Sequence, residues 1–251
     1  MDVAARARSF VRVSGPDAGE YLQRMVSNDV DALALGDACP ALLLTAKSRV
    51  IAPLVVWRRG EEDYLLLTEP ELGDTVRALL LRMRLRARCE IEVEEHSSML
   101  VLGGEGIATD VPGAAEVLDS GLEPTLSEDE LDLLRIELGV PRWGREIDEA
   151  ILPAEAGLDR THVSFSKGCY PGQEPVARLH FRGHPNRGLR VLELNALPPE
   201  GAELLHEGRG AGRVTSAALR PDGTAVALAY VRREIPEDAL FEVAGAEARA
   251  G

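Results

Sequence analysis

Residues 164–188, SFSKGCYPGQEPVARLHFRGHPNRG, divide the chain into two kinds of sequence. Before this segment, helical and strand-like patterns alternate, whereas after it short strand-like runs are separated by regularly spaced Gly, Pro, Asn and Asp turns. Regularly spaced short strands are typical of a small antiparallel barrel. We therefore predict an α+β region over residues 1–186 and a C-terminal β-barrel domain over residues 187–251.

The first region combines strands and helices. Its hydrophobic pattern predicts, in order, a strand (9–15), a helix (16–27), a strand (40–46), a hairpin that turns at Gly60 (50–68), a helix (71–87) and a strand (90–96). Residues 113–126 predict a short helix and a turn, and Ser127 with Glu130 predicts the capping box of a helix that ends at Gly139. Strands that follow one another directly indicate an antiparallel sheet, so the expected fold class is α+β.

The composition is that of a globular protein of the cytoplasm. The 251 residues are 45% hydrophobic and contain no apolar run long enough to cross a membrane. The N-terminal residues lack the apolar region of a secretory signal, and three cysteines are too few for a disulfide framework. A formal net charge of −14 argues against nucleic-acid binding, which needs a basic surface. We expect a cytoplasmic monomer without membrane association or direct nucleic-acid binding.

Positive charge is concentrated around the dividing segment. Residues 158–190 hold six basic and two acidic side chains, a net +4 that leaves −18 for the rest of the chain. A local basic region on an acidic protein suits a small anionic ligand, although it could equally be a solvated surface. Lys167 is one of only two lysines beside 26 arginines. A site that requires a compact ammonium group would explain why lysine is retained there.

Cys169 lies in a turn of unusual composition, between Gly168 and Tyr170, with Pro171 and Gly172 behind it. Glycine and proline on both sides indicate an exposed turn, and the residues that follow predict a short helix. A thiol beside a helix N-terminus and a lysine is expected to favour the reactive thiolate form. The alternative is a structural thiol in a loop. The other cysteines adjoin apolar runs and are expected to be buried.

Other kinds of site have weaker support. His180 and His184 are four residues apart, with Cys169 as a third candidate metal ligand, but Gly183 and Pro185 would end the helix between them. We therefore expect no protein-bound metal. The chain contains no GxSxG, GxGxxG or P-loop motif, which argues against an α/β-hydrolase, a dinucleotide enzyme and an NTPase.

The segment KGCYPGQE (167–174) resembles the signature of the YgfZ-type folate-binding proteins, which are relatives of the T-protein (aminomethyltransferase) of the glycine cleavage system. The resemblance extends to residues 13–33, to the R-x-E-x-G…P-x-E segment within residues 134–158, and to residues 212–218. It implies two related α+β subdomains that form a tetrahydrofolate pocket, with a small antiparallel β-barrel at the C-terminus.

The resemblance also implies roles for particular residues. Glu137, which by its position alone would be a solvated carboxylate, matches the residue that binds the pterin. Arg178 is expected to meet the glutamate tail of the folate. Cys169 falls on the signature cysteine, and Lys167 beside it is expected to set the charge of the loop. The remaining signature side chains are expected to contribute to folate binding; they are Tyr170, Gln173 and Glu174.

One departure separates this chain from T-proteins, which carry a paired aspartate at the positions of Ala52 and Pro53. Neither side chain can move a proton, and loss of such a group typically lowers a rate on the order of a hundred- to ten-thousandfold. We therefore expect a tetrahydrofolate-binding factor that supports iron–sulfur cluster assembly or repair in client enzymes, including those of tRNA methylthiolation. The alternatives are a folate-dependent aminomethyl or one-carbon transferase, and a non-catalytic thiol-redox or folate-sensing module.

Overall fold

The computed structural model describes all 251 residues, which form fifteen strands and four α-helices. In chain order the elements are β1 (Val3–Ala5), β2 (Ser9–Ser14), α1 (Ala18–Met25), β3 (Ala38–Leu44), β4 (Val50–Gly60), β5 (Asp63–Thr68), α2 (Gly73–Met83), β6 (Glu90–Glu94), β7 (Ser98–Leu102), β8 (Ile107–Ala108), β9 (Ala114–Leu118), α3 (Glu128–Glu137), α4 (Gln173–Arg182), β10 (Arg187–Leu194), β11 (Glu203–His206), β12 (Arg209–Leu219), β13 (Ala225–Arg232), β14 (Leu240–Val243) and β15 (Ala246–Ala250).

The strands form two open sheets and one barrel. The first sheet has the order β3-β4-β5-β2-β6, and the second has the order β1-β7-β9-β8, with antiparallel pairing throughout. The last six strands close a barrel in the order β10-β13-β12-β11-β14-β15. The expected α+β fold with a C-terminal antiparallel barrel is therefore confirmed. None of the helices has the length and apolar character that a membrane-spanning helix requires.

Apolar packing explains the positions of the helices. Helix α1 buries Tyr21 and Leu22, and α2 buries Val76 and Leu80, in one cluster with the side chains of the first sheet. Helix α3 begins at the expected capping box, in which the Ser127 backbone N–H donates to the Glu130 carboxylate at 2.8 Å. It packs between the second sheet and the barrel, and therefore joins the two regions of the chain.

One predicted element is wrong. The short helix expected within residues 113–126 is instead strand β9, which pairs with β7 and β8. The local sequence AAEVL is compatible with a helix, but Glu116 within it is fully buried against Arg6 and Arg8. Tertiary contacts of this kind override local propensity, which is only a weak preference.

Candidate functional site

Lys167 anchors the signature loop, which we define as residues 164–172. Its Nζ donates hydrogen bonds to the carbonyl oxygens of Gln23 (2.6 Å), Val26 (2.8 Å) and Asn28 (2.7 Å), at and just beyond the end of α1. An ammonium group has three donors, so every one is used, and a planar guanidinium could not place three donors at one point. Burial lowers the pKa of Lys167 to about 8. Its charge stabilises the C-terminal end of α1.

Tyr170 and Gly172 anchor the other end of the loop. Tyr170 is buried in an apolar cluster with Leu44 and Val50, and its hydroxyl has no hydrogen-bond partner. Gly172 has a φ of +82°, and a Cβ there would lie 2.4 Å from the carbonyl oxygen of Thr45. Only glycine adopts this conformation readily, and the close approach excludes any side chain. The loop is therefore fixed against the turn between β3 and β4.

Cys169 lies between these two anchors and is exposed. Of the other cysteines, Cys89 is buried as expected, while Cys39 is partly buried and its pKa is raised to about 12 by burial. The ammonium of Lys167 is directed at carbonyls at and just beyond the end of α1, so the residue acts on the loop by anchoring it. The loop thus presents one exposed thiol between the buried side chains of Lys167 and Tyr170.

Helix α4 follows the signature loop, as expected, and extends from Gln173 to Arg182. Glu174 and Arg178 are exposed on it, and neither forms an ion pair within 4 Å. The helix ends at Gly183, so His184 does not share a helical face with His180. No group of three His, Cys, Asp or Glu side chains is placed to hold a metal ion.

Glu137 ends α3 and faces the barrel. Its carboxylate accepts a hydrogen bond from Arg220 Nε at 2.7 Å across the junction between α3 and the turn after β12. Two residues earlier, the buried Arg135 donates to Glu146 (3.0 Å) and to Ser216 (2.8 Å). The carboxylate of Glu137 is therefore paired with a cation of the barrel.

A different set of side chains surrounds a cavity of about 170 Å³ at the junction of the two sheets with α3. This volume is below the roughly 300–1,000 Å³ of sites that bury a whole drug-sized ligand, so it suits the ring system at one end of a larger molecule. Apolar side chains of the second sheet and of α3 form part of the wall. The charged lining residues are Arg6, Glu69, Asp110, Glu128, Asp132, Arg135 and Arg142.

Glu69 is a largely buried carboxylate of this cavity, and its side chain accepts no hydrogen bond. Only 14% of its side chain is exposed, and its nearest cation is Arg8 at 3.6 Å. Burial raises the pKa of Glu69. A buried carboxylate without hydrogen bonds is unfavourable until donors reach it. The Glu69 carboxylate therefore has the capacity to accept hydrogen bonds from N–H groups that enter the cavity.

An ion-pair network adjoins the cavity, and two of its members, Arg6 and Asp110, line it. Arg8 donates to Glu116 at 2.6 Å, and Arg6 donates to Glu116 at 2.8 Å and to Asp110 at 2.7 Å. The two arginines hold the pKa values of both carboxyls below their usual range despite burial. His162 lies near Arg8 and Asp110, and burial lowers its pKa to about 4. We refer to these five residues as the ion-pair network.

Comparison with known proteins identifies the family. Residues 2–130, just over half of the chain, match the family model described as the GCVT N-terminal domain. The chain belongs to this family. As the signature indicated, it is a YgfZ-type relative of the T-protein.

Individual relatives of this GCVT-family chain carry three kinds of name. It is 25% identical to the tRNA-modifying protein YgfZ of Serratia proteamaculans, over 94% of this chain and 85% of that one. It is 26% identical to an aminomethyltransferase of Saccharopolyspora erythraea, over 90% and 77%. It is 24% identical to the mitochondrial iron-sulfur cluster assembly factor IBA57 homolog of Neurospora crassa, over 86% and 58%.

The fold of the family is equally evident in three dimensions. The aminomethyltransferase T of the glycine cleavage system from Bartonella henselae superposes with a TM-score of 0.84 at 20% identity, over 99% of this chain and 84% of that one. Within this shared fold, the methyl group of Ala52 is fully buried in the apolar cluster under the first sheet. Pro53 contributes only its carbonyl oxygen, which accepts from Thr68 Oγ1 at 2.8 Å.

Proposed function

We propose that this protein is a tetrahydrofolate-binding factor that supports the assembly or repair of iron–sulfur clusters in client enzymes, including those of tRNA methylthiolation. The relatives named for tRNA modification and for iron–sulfur cluster assembly support this proposal. The aminomethyltransferase relatives and the family model support a folate ligand.

The exposed thiol of Cys169, held between two buried anchors, is the observation that carries the proposal. A thiolate is the form of cysteine that binds iron and attacks sulfur, and access to it decides its reactivity. Lys167 on one side and Tyr170 with Gly172 on the other are fixed by packing. The backbone around the thiol is therefore defined before any client binds.

The residues around the cavity fit the head of a folate. A pterin presents an amide N–H and an amino group side by side, and the Glu69 carboxylate could accept from both. The apolar side chains of Leu100, Val111 and Val140 offer walls for the ring. Arg142 is exposed at the same cavity and could meet a carboxylate of the tail. A reduced folate, when bound, supplies a carrier of one-carbon units.

Replacing Cys169 tests the thiol. In a strain that lacks this gene, Cys169→Ala should fail to restore methylthiolated tRNA nucleosides, measured by mass spectrometry, and the activity of an iron–sulfur enzyme. Cys39→Ala is the matched control, because Cys39 is partly buried, and it should restore both. Full restoration by Cys169→Ala would rule out the thiol mechanism.

Calorimetric titration with tetrahydrofolate tests the ligand site. Glu69→Gln should weaken binding by about tenfold or more, because a hydrogen bond to a charged group is lost. Glu137→Ala should bind like the wild type, because Arg220 already occupies its carboxylate. If Glu137→Ala weakens binding and Glu69→Gln does not, the pterin lies at the end of α3 instead.

A folate-dependent aminomethyltransferase is the second candidate, since relatives with that name reach 27% identity. The buried methyl group of Ala52 leaves the acid–base position of T-proteins without a titratable group. Formation of methylene-tetrahydrofolate from tetrahydrofolate and an aminomethyl donor, followed spectroscopically, would establish this activity. We expect no formation above the rate without protein.

A further inference from the structure

Three aromatic rings, Phe165 of the signature loop and His180 and Phe181 of α4, form a cluster. Phe165 stacks on His180 with ring centroids 3.8 Å apart, and Phe181 meets both rings edge-on at 5.7 Å and 4.8 Å. Phe181 is 67% exposed. An exposed aromatic ring held beside two others offers a large, pre-oriented contact area to a partner.

Two arginines flank this ring. Arg178 precedes Phe181 by three residues and Arg182 follows it directly, so the guanidinium groups lie one turn apart on the same side of the helix. Neither has an acidic partner within 4 Å, and like charges at this spacing are unfavourable. The nearby acids are Glu174, exposed on α4, and Asp159, 3.9 Å from His180. We define the α4 outer face as Phe165, Arg178, His180, Phe181 and Arg182.

We propose that the α4 outer face docks an acidic segment of a protein partner, with an aromatic or aliphatic side chain of that segment packed against Phe181 and Phe165. Arginine and aromatic side chains are the residues that contribute most to protein–protein binding energy. Opposite charge on the partner relieves the repulsion between Arg178 and Arg182 and speeds association.

The charge of the whole chain decides between a protein and a nucleic acid. Residues outside the basic region carry a net −18, so a long polyanion that extends beyond the α4 outer face meets repulsion. A short acidic segment on a folded partner does not extend beyond the α4 outer face and so avoids this repulsion. The stacked rings alone would also suit RNA bases, which makes RNA the competitor in the test.

The location of the face gives it a role beside Cys169. Helix α4 begins four residues after Cys169, and the intervening loop is fixed by Tyr170 and Gly172. The α4 outer face also includes Phe165, which stacks on His180 and belongs to the signature loop. A partner seated on this face therefore contacts the loop that carries the exposed thiol. The identification of this partner as the client enzyme rests on the proposed function, whereas the docking face does not.

Fluorescence anisotropy with defined probes tests the face on the full chain. The probes are a labelled acidic peptide, EDEFEDE, the same peptide with Ala in place of Phe, and a single-stranded RNA of twelve nucleotides. The wild type should bind EDEFEDE about tenfold or more tightly than either other probe. The variant Phe181→Ala and the double variant Arg178→Glu/Arg182→Glu should each bind EDEFEDE about tenfold more weakly than the wild type. The matched controls are Leu240→Ala, an equally exposed apolar residue of the barrel, and Arg77→Glu on α2, and both should bind like the wild type.

Each outcome is decisive. Tighter binding of the RNA, equal binding of the two peptides, or no loss in Phe181→Ala would overturn the proposal. Cys169→Ala should keep full peptide affinity while failing to restore cluster enzymes in cells, and Phe181→Ala should lose both. If peptide binding is absent while client activity still needs Cys169, the docking face is wrong and the proposed function stands. If the peptide binds and client activity does not need Cys169, the docking face stands and the proposed function is wrong.

Discussion

Lys167 and Arg8 are both buried cations, but different partners neutralise them. Lys167 donates only to backbone carbonyls, all from the six residues Gln23–Asn28. Arg8 contacts carboxylates of Glu116, Asp110 and Glu69, which come from three separate segments of the chain. One cation anchors a loop to a helix end, whereas the other is part of a network that joins two sheets.

The difference predicts how each region responds to substitution. Backbone carbonyls are neutral, so removing the lysine destabilises the protein only through the hydrogen bonds that are lost. Carboxylates remain charged, so removing an arginine leaves an uncompensated buried ion, which is far more costly. The ion-pair network should therefore be the more sensitive region for stability, and the signature loop the more sensitive region for function.

Arg8→Met should give the largest loss of stability. The Arg8 side chain is 3% exposed and Glu116 is fully buried, so the substitution leaves Arg6 as the one cation paired with Glu116 and Asp110, and leaves Glu69 with no cation within 4 Å. Breaking a buried pair costs about 3–5 kcal/mol in the free energy of unfolding, measurable by urea denaturation. The control is Arg24→Met, which breaks an exposed pair with Glu20 and should cost about 0.5 kcal/mol or less. Similar losses in the two variants would remove the distinction between the network and a surface ion pair.

The network should also make stability depend on pH through His162. Its pKa is about 4 in the folded protein, against 6.5 for the unperturbed side chain. As pH falls from 6.5 to 4, the unfolded state takes up this proton first, so the folded state loses stability. The shift corresponds to about 3 kcal/mol over that window.

His162→Gln should remove this dependence. The free energy of unfolding of the variant, measured by urea denaturation at several pH values, should fall less steeply than that of the wild type between pH 6.5 and 4. His184→Gln replaces an exposed histidine and should follow the wild-type curve. Parallel curves of unfolding free energy against pH for the wild type and His162→Gln would show that burial does not hinder protonation of the imidazole.

Lys167→Met should cost about 2–3 kcal/mol, because three carbonyl oxygens lose a charged donor and that of Val26 is buried. The other lysine of the chain, Lys47, is exposed, so Lys47→Met should be neutral in the same urea experiment. Lys167→Met should also loosen the signature loop, seen as faster amide hydrogen exchange around Cys169. Unchanged exchange would mean that the ammonium does not position the thiol.

Local signals explain what could be predicted from the sequence. The capping box of α3 lies within four residues, and the expected helix therefore begins where the structure places it. Lys167 and Cys169 stood out because a lysine and a cysteine interrupt a glycine- and proline-rich turn of an arginine-rich chain. In each case the decisive information is contained in one short segment.

The cavity could not be predicted because its residues are distant in sequence. Glu69 follows β5, Arg6 follows β1 and Asp132 lies on α3, and no motif connects them. The same reason explains the error at β9, where Glu116 pairs with arginines more than 100 residues away. Glu137 is a third example, because its partner Arg220 lies in the barrel, 83 residues away, and no local pattern predicts that pair.

Gly172→Ala addresses the second anchor of the loop and should give the smallest of these losses, about 2 kcal/mol. The left-handed conformation costs a non-glycine residue about 1–2 kcal/mol, and the added methyl must also move away from the Thr45 carbonyl oxygen. Gly168→Ala is the matched control, because an added Cβ there meets no atom within 4 Å, and it should unfold like the wild type. The two variants lie on either side of Cys169, so they separate backbone position from chemistry at the thiol. If Gly172→Ala keeps wild-type stability yet fails to restore cluster enzymes, the backbone at Gly172 is needed for function and not for stability. That result would strengthen the contrast between the signature loop, which is sensitive for function, and the ion-pair network, which is sensitive for stability.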